Sequence, residues 1–394
     1  MGRDLRGHWL LDPSITFLNH GSFGACPRVV LERQSALREQ MEREPVRFFV
    51  YELEPLLEAA RAECAAFVGA RPRSFLFVRN ATEGVNAVLR SLELASGDEL
   101  LTTDHAYGAC KNVLEHVASR AGARVVVARV PFPIRSPDDV LERVLDAVTP
   151  RTRLALLDHV TSPTALVFPM ERLVRELDAR GVDTLVDGAH APGMLELDVS
   201  ALGAAWYTGN FHKWTCAPKG AAFLAAREDK EQGLHPAIIS HGYASARPRK
   251  RLLEEFDWTG TADPTPWLCV PEAIHAVGGL LAGGWPEVRA HNRALALEAQ
   301  SILAEALAID PPAPASMLGS MAALPLPPGG DAPPSSALYA DPLQRALLDR
   351  HRIEVPIPPW PAPPARLVRV SAHLYDHADE YRALASALRS LLAR

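Results

Sequence analysis

The sequence predicts an α/β fold: a mostly parallel central sheet in a large domain, followed by a smaller α+β C-terminal domain. Three observations predict it. Between residues 74 and 186, short apolar runs alternate with stretches of helical period, as successive β-α units do. Between Thr184 and Leu224, apolar runs end abruptly in polar, glycine-bearing turns, Asp187-Gly188 and Thr208-Gly209-Asn210. In open α/β sheets, ligands sit beyond such carboxyl ends. From about Pro271 the composition turns helical and then proline-rich, which divides the chain into 1–270 and 271–394, with 1–30 packing against the smaller part.

With 394 residues, 48% of them hydrophobic, the chain can bury a large core. A formal charge of −6 gives no reason to expect nucleic acid or an acidic membrane as partner. The basic tract 247–251 therefore reads as a solvated loop. Five cysteines, an odd number without CxxC or metal-ligand spacing, read as reduced, packed thiols of a cytoplasmic protein, and no metal is expected. The N-terminus lacks a signal-peptide apolar core, and no uncharged apolar stretch reaches membrane-spanning length.

Taken in order, residues 15–18 form a short strand that runs into Asn19-His20-Gly21-Ser22-Phe23-Gly24. The two glycines suit backbone approaching a ligand, or a plain surface turn. Helices follow at 28–44 and 51–68. Strand 74–78 leads through Asn80, Ala81 and Thr82 into a helix burying Val85, Val88 and Leu89. Such a helix start is an anion cradle, with free N–H groups and the Thr82 hydroxyl; ordinary capping by Asn80 or Thr82 is the plainer alternative. Strand 99–103 delivers His105 and Tyr107, and an aromatic there can lie flat over a planar ligand or simply line the rim. Helix 109–120 and strand 125–129 complete a β-α-β unit. Strand 154–158 delivers Ser162, a donor to a ligand or a turn residue before Pro163. Helix 170–180 returns to the strand of Asp187. In the C-terminal part, strands are expected at 353–357 and 366–371, and the proline clusters at 311–334 and 356–364 as extended connections. Arg369 on an otherwise apolar strand needs an anion, in a two-point fork or a surface salt bridge, with Arg366 as its alternate.

The Asp187 and Lys213 spacing delivers one carboxylate and one amine to the same rim, each at the end of its own strand. Such a pair can hold pyridoxal phosphate: the amine condenses with the aldehyde, and the acid keeps the pyridine nitrogen protonated. An N-cap Asp and a surface Lys are the bland alternative. Against it, Lys213 is flanked by His212 and Trp214, and Asp187 leads into Gly188, Ala189 and His190.

The motifs LNHGSFG (18–24), VDGAHAPG (186–193) and GNFHKW (209–214) together resemble the class V aminotransferase family, of PLP fold type I, and within it the isopenicillin N epimerase-like group. The resemblance covers nearly the whole chain. It implies pyridoxal 5′-phosphate on Lys213 and Asp187, with His190 at the phenolic oxygen, Ala81, Thr82 and His212 at the phosphate, and Ser162 at the phenolic oxygen or the substrate. Tyr107 takes the ring-stacking position, with His105 as competitor. Asn19 and His20 would contact substrate, and Arg369 its α-carboxylate. Thr261, in Thr259-Gly260-Thr261, would reach the partner's phosphate across a homodimer with shared active sites. Related sequences usually carry Gly where Ala165 stands, so a slightly different backbone is expected there. The implied activity is epimerisation at an amino acid α-carbon. A C–S lyase, an aminotransferase and a catalytically silent PLP-fold binding protein are the alternatives. The last cysteine is Cys269, so the C-terminal thiol that a desulfurase uses is missing.

Overall fold

The computed structural model describes residues 5–330 and 341–392. A two-residue strand, β1 (Thr16–Phe17), precedes the main sheet. That sheet takes β2 (Phe75–Val78), β3 (Glu99–Thr103), β4 (Arg124–Ala128) and β5 (Thr152–Asp158). It continues with β6 (Asp183–Gly188), β7 (Trp206–Asn210) and β8 (Ala222–Ala226). The spatial order is β2-β8-β7-β6-β5-β3-β4, parallel throughout except for β8, which is antiparallel to both neighbours. Chain order reverses direction between β3 and β5, which opens a crevice beyond their carboxyl ends.

Alternation along each strand assigns side chains to two cores. Leu154 and Leu156, Leu185, and Leu224 face one layer; Ala155 and Leu157, Val186, and Phe223 face the other. Burying one such Leu contributes about 2 kcal/mol. The longer helices are α1 (Arg28–Arg43), α2 (Leu53–Phe67), α3 (Ala81–Ser91), α4 (Gly108–Ala121), α5 (Pro137–Asp146) and α6 (Met170–Asp178). After β8 come α7 (Arg251–Asp257), α8 (Val270–Gly278) and α9 (Gly284–Leu307). Helices α3 and α4 supply the layer that Leu154, Leu156 and Leu185 face. The predicted helix 51–68 begins instead as a π-turn, Phe48–Glu52, before α2.

Among the C-terminal elements, β9 (Met321–Leu326) lies in a proline-rich stretch expected to be mere connection; that stretch's last residues, 331–334, lie outside the described ones. Pro325 sits opposite Leu367, so β9 is a strand with a proline inside it, which its position at the edge of a two-stranded sheet allows. Next come α10 (Pro342–His351) and β10 (Ile353–Glu354), which stops short of the expected 357 because Pro356 cannot donate to a ladder. β11 (Arg366–Ser371) matches its predicted span, and α11 (Ala378–Leu392) closes the described chain. β1 pairs in parallel with β10, Thr16 with Ile353 and Phe17 with Glu354, so the N-terminal segment joins the C-terminal part. The turn after β1 is a single helical turn, His20–Phe23. No helix among the described residues is long and apolar enough to cross a membrane.

The tract 247–251 is exposed at Arg247, Pro248 and Arg251, and its charges are paired. Arg247 pairs with Glu54 and Glu254, and Arg249 with Glu58 and Asp257. Lys250 pairs with Glu231, and Arg251 with Glu255. Glu54, Glu58 and Glu231, distant in sequence, join the acids of the adjoining α7 in supplying the counter-charge.

Candidate active site

Asp187 ends β6 on the face covered by α3 and α4, the same face as Leu185. Its carboxylate accepts from the backbone N–H of Ala189 (3.0 Å to Oδ1) and from the Cys110 thiol (3.2 Å to Oδ2). Burial pushes this carboxyl up, and Cys110, Ala189 and the Lys213 charge pull against that. No Lys or Arg among the described residues makes a salt bridge to it. An acid placed so is short of one positive partner.

Lys213 follows β7, in a loop that the chain must bend sharply to form. Its Nζ lies 3.1 Å from His190 Nε2, while His190 Nδ1 accepts from Trp214 Nε1 at 3.3 Å. A neutral His190 therefore carries its hydrogen on Nε2, and the amine beside it must accept. Burial and the Arg369 charge push the Lys213 amine down to about 8, toward the neutral form that tautomer calls for. His190, expected at the cofactor's phenolic oxygen, thus meets the amine here. His212 is held through Nδ1 by the Ala221 carbonyl at 3.2 Å, and burial pushes it down to about 4. Its Nε2 then has only a lone pair to offer, so a phosphate contact requires the imidazolium.

His20 corrects an expectation. The reading that puts it against substrate fails because the ring is fully buried with both nitrogens engaged. Nε2 donates to the Lys213 carbonyl at 3.0 Å, and Nδ1 accepts from Tyr375 at 2.6 Å. His20, Cys216 and His373 bring potential metal-ligand atoms within 4.8 Å of one another, from three separate segments. The two imidazoles are stacked 4.2 Å apart and 20° from parallel, so their lone pairs run alongside each other instead of converging. That geometry suits packing better than ligation.

Arg369, on β11, is 5% exposed. Nη1 donates to the carbonyl and hydroxyl of Ser162 (2.7 and 3.1 Å), and Nη2 to the Ser22 hydroxyl (2.9 Å). Its Nε is buried with no partner, and no carboxylate among the described residues pairs with it. Burial pushes this guanidinium down to about 10, the mark of a cation without an anion. Ser162 therefore serves the guanidinium. Asn19 stands one step behind, donating to Glu354 at 3.0 Å and accepting from Ser22 at 2.5 Å. The alternate, Arg366, is paired with Asp341.

At the start of α3, Asn80 caps the Glu83 N–H, and the Ala81 N–H is donated to Asn210 Oδ1 at 2.8 Å. Ala81 is therefore not free to hold an anion as expected, which leaves the Thr82 N–H and hydroxyl. Tyr107 caps α4, 43% exposed, with Cys110, Asp187 and Arg369 all acting on its phenol. His105 is withdrawn from the pocket, buried against Thr164 (2.6 Å) and the Val130 carbonyl (2.9 Å). Thr261 is exposed and joins none of these contacts. All five cysteines are free and buried.

The sequence reading passed over Ser22, Cys110 and Asp158. Cys110 lies one helical turn after Tyr107, a spacing that puts both on the sheet side of α4. Asp158 ends the run Leu154-Ala155-Leu156-Leu157, the same signal that singled out Asp187.

The aminotransferase class-V family model matches residues 25–323. The chain is 40% identical to the isopenicillin N epimerase of Amycolatopsis lactamdurans, covering 97% of this chain and 96% of that one. It is 31% identical to a probable chloroplastic L-cysteine desulfhydrase of Arabidopsis thaliana, over 97% and 84% of the two chains. Among solved structures, the cystine C-S lyase C-DES in complex with its product cysteine persulfide superposes with a TM-score of 0.78 at 21% identity, covering 95% of this chain and 97% of that one.

Proposed function

Because this chain belongs to the class-V aminotransferase family, we propose that it acts at the α-carbon of an amino acid or amino-acid-containing peptide, epimerising it. Its cofactor is pyridoxal 5′-phosphate. When bound, that group supplies an aldehyde that condenses with amines and a pyridine ring that accepts the electron pair of a breaking α-C–H bond. The buried donor set suits it: an amine at Lys213 lowered to about 8, a carboxyl at Asp187 that lacks a cationic partner, and a helix start with Thr82.

In this reading Lys213 would hold the cofactor through its aldehyde, and its amine would serve as the base for the substrate's α-proton. Asp187 would hold the ring nitrogen and keep it protonated. His190 orients the amine. Arg369 takes the substrate α-carboxylate, positioned by Ser162 and Ser22. Epimerisation also needs a proton donor on the face away from Lys213. Tyr107 is that donor, since the buried His20 is spent on the Lys213 carbonyl. Thr261 contacts the phosphate of a partner subunit in a homodimer.

The single observation that carries the α-carbon reading is the buried Arg369 guanidinium, without a counter-ion among the described residues, acting on the same Lys213 whose amine it helps push down to about 8. Epimerase is taken ahead of C–S lyase because the epimerase relative is 40% identical and the desulfhydrase 31%. Incubation with amino acids in deuterium oxide tests this. Racemised product deuterated at the α-carbon supports epimerisation, whereas pyruvate with a released sulfur species shows lyase chemistry. A purified protein with no visible band that borohydride removes would identify a silent binding protein instead.

A further inference from the structure

Two buried carboxyl groups stand side by side at the crevice, and the proposed function uses only one. Asp158 and Asp187 are directly opposite in the parallel register of β5 and β6. Residues so paired lie about 4.8 Å apart along the sheet. Strand alternation turns both to the α3–α4 face, with Leu154, Leu156 and Leu185. Each is 3% exposed, and no Lys or Arg among the described residues makes a salt bridge to either. Two negative charges at that spacing in a dry layer cannot coexist, so one carboxyl must keep its proton.

We propose that Asp158 carries that proton and Asp187 the charge, with Cys110 as the positioning residue that makes the choice. The donors decide it. Asp187 receives a side-chain donor, the Cys110 thiol, besides the Ala189 N–H, whereas the donors acting on Asp158 are backbone N–H groups, those of Tyr107 and of Asp158 itself. The thiol donor favours the ionised form of its acceptor. The charged and titratable groups around the pair are Cys110, Lys111 and Tyr107 on or beside α4, Tyr207 on β7, and Lys213. The two cations act on both carboxyls or on Asp158 from the rim, and neither touches one. Burial raises both acids, and the Asp187 charge raises Asp158 further. A neutral Asp158 leaves the whole of one carboxylate for a pyridinium nitrogen, instead of a charge shared along the rim. The inference rests on Asp187 being the ring-nitrogen acid.

The test uses the purified holoenzyme and its isosteric variants. Infrared spectra in H2O and deuterium oxide report neutral carboxyl groups by their isotope-shifted carbonyl band. Asp158→Asn should lose one such band that Asp187→Asn retains; the reverse pattern, or loss in both or neither, overturns the proposal. The pH midpoint of the visible cofactor band should stay within about 0.3 unit in Asp158→Asn and move by about one unit or more in Asp187→Asn. Cys110→Ala should move it in the same direction as Asp187→Asn, by less, and Cys110→Ser, which keeps a donor, should restore it. If Cys110→Ala moves nothing, the thiol does not make the choice. A midpoint unmoved in Asp187→Asn sinks the ring-nitrogen assignment, while the infrared pattern still reports separately where the proton sits.

Discussion

Lys213 Nζ lies 3.1 Å from a ring nitrogen that must carry a hydrogen, since the other nitrogen of His190 already accepts one from Trp214. The folded protein therefore holds the proton of this amine less tightly, at about 8 against about 10.5 in an unfolded chain. Between those values the unfolded state binds more protons, so stability climbs as pH rises across that window and the penalty is in full force below it. In apoprotein, the urea midpoint should rise from pH 7.5 to 9.5 more steeply in wild type than in Lys213→Met. Equal slopes in the two would mean that the amine is charged in the fold. Ala165 makes a second case at this scale. It adopts φ +58, the left-handed conformation that glycine takes easily and that strains an alanine. Ala165→Gly should stabilise by about 1 kcal/mol in denaturant unfolding, and a loss of stability would show that the methyl packs usefully against its buried surroundings.

At the scale of elements, the turn 19–24 is a brace for the Lys213 loop. A Cβ on Gly24 would overlap the His212 carbonyl oxygen and crowd the Lys213 backbone, and φ there is +72. Gly24→Ala should cost roughly 3 kcal/mol and displace the loop. The readout is a lower melting temperature together with weakened cofactor retention; a stable variant that holds cofactor normally would show that the turn merely abuts the loop. The sequence reveals glycines there but not their reason, because the close approach is to a segment about 190 residues away. The same limit separates what was legible from what was not. Asp187, Lys213 and Arg369 stand out because a charge ends or interrupts an apolar run, and burial of an apolar run is a local property. Partners are not local. Ser22 and Ser162 meet on one guanidinium from the two ends of the fold, Ala81 loses its N–H to Asn210, and the tract 247–251 finds its acids on α2 and α7. Strand β9 escaped notice because proline normally argues against a strand, and the two-stranded sheet that tolerates Pro325 is a tertiary fact.

At the scale of the whole molecule, one chain leaves its cofactor site short of phosphate donors. The Ala81 N–H is spent and His212 is neutral, so Thr82 is left as the main donor of its own chain. Thr261 is exposed on the loop after α7 and touches none of the site in its own subunit. If it completes a neighbour's site, each active centre is built from two chains, and the arrangement has an arithmetic consequence. A Lys213→Ala chain cannot link cofactor, and a Thr261→Asp chain repels phosphate from its partner's site, so each homodimer alone should yield no borohydride-fixed cofactor. In a mixed dimer, one site combines both lesions. The other joins an intact Lys213 to an intact Thr261. Random reassociation makes half the dimers mixed, so about a quarter of all sites should regain fixed cofactor. Refolding the two variants together and measuring reduced pyridoxyl label per chain gives the answer: recovery near that fraction requires sites shared between subunits, and no recovery above the separate controls means that each chain builds its site alone.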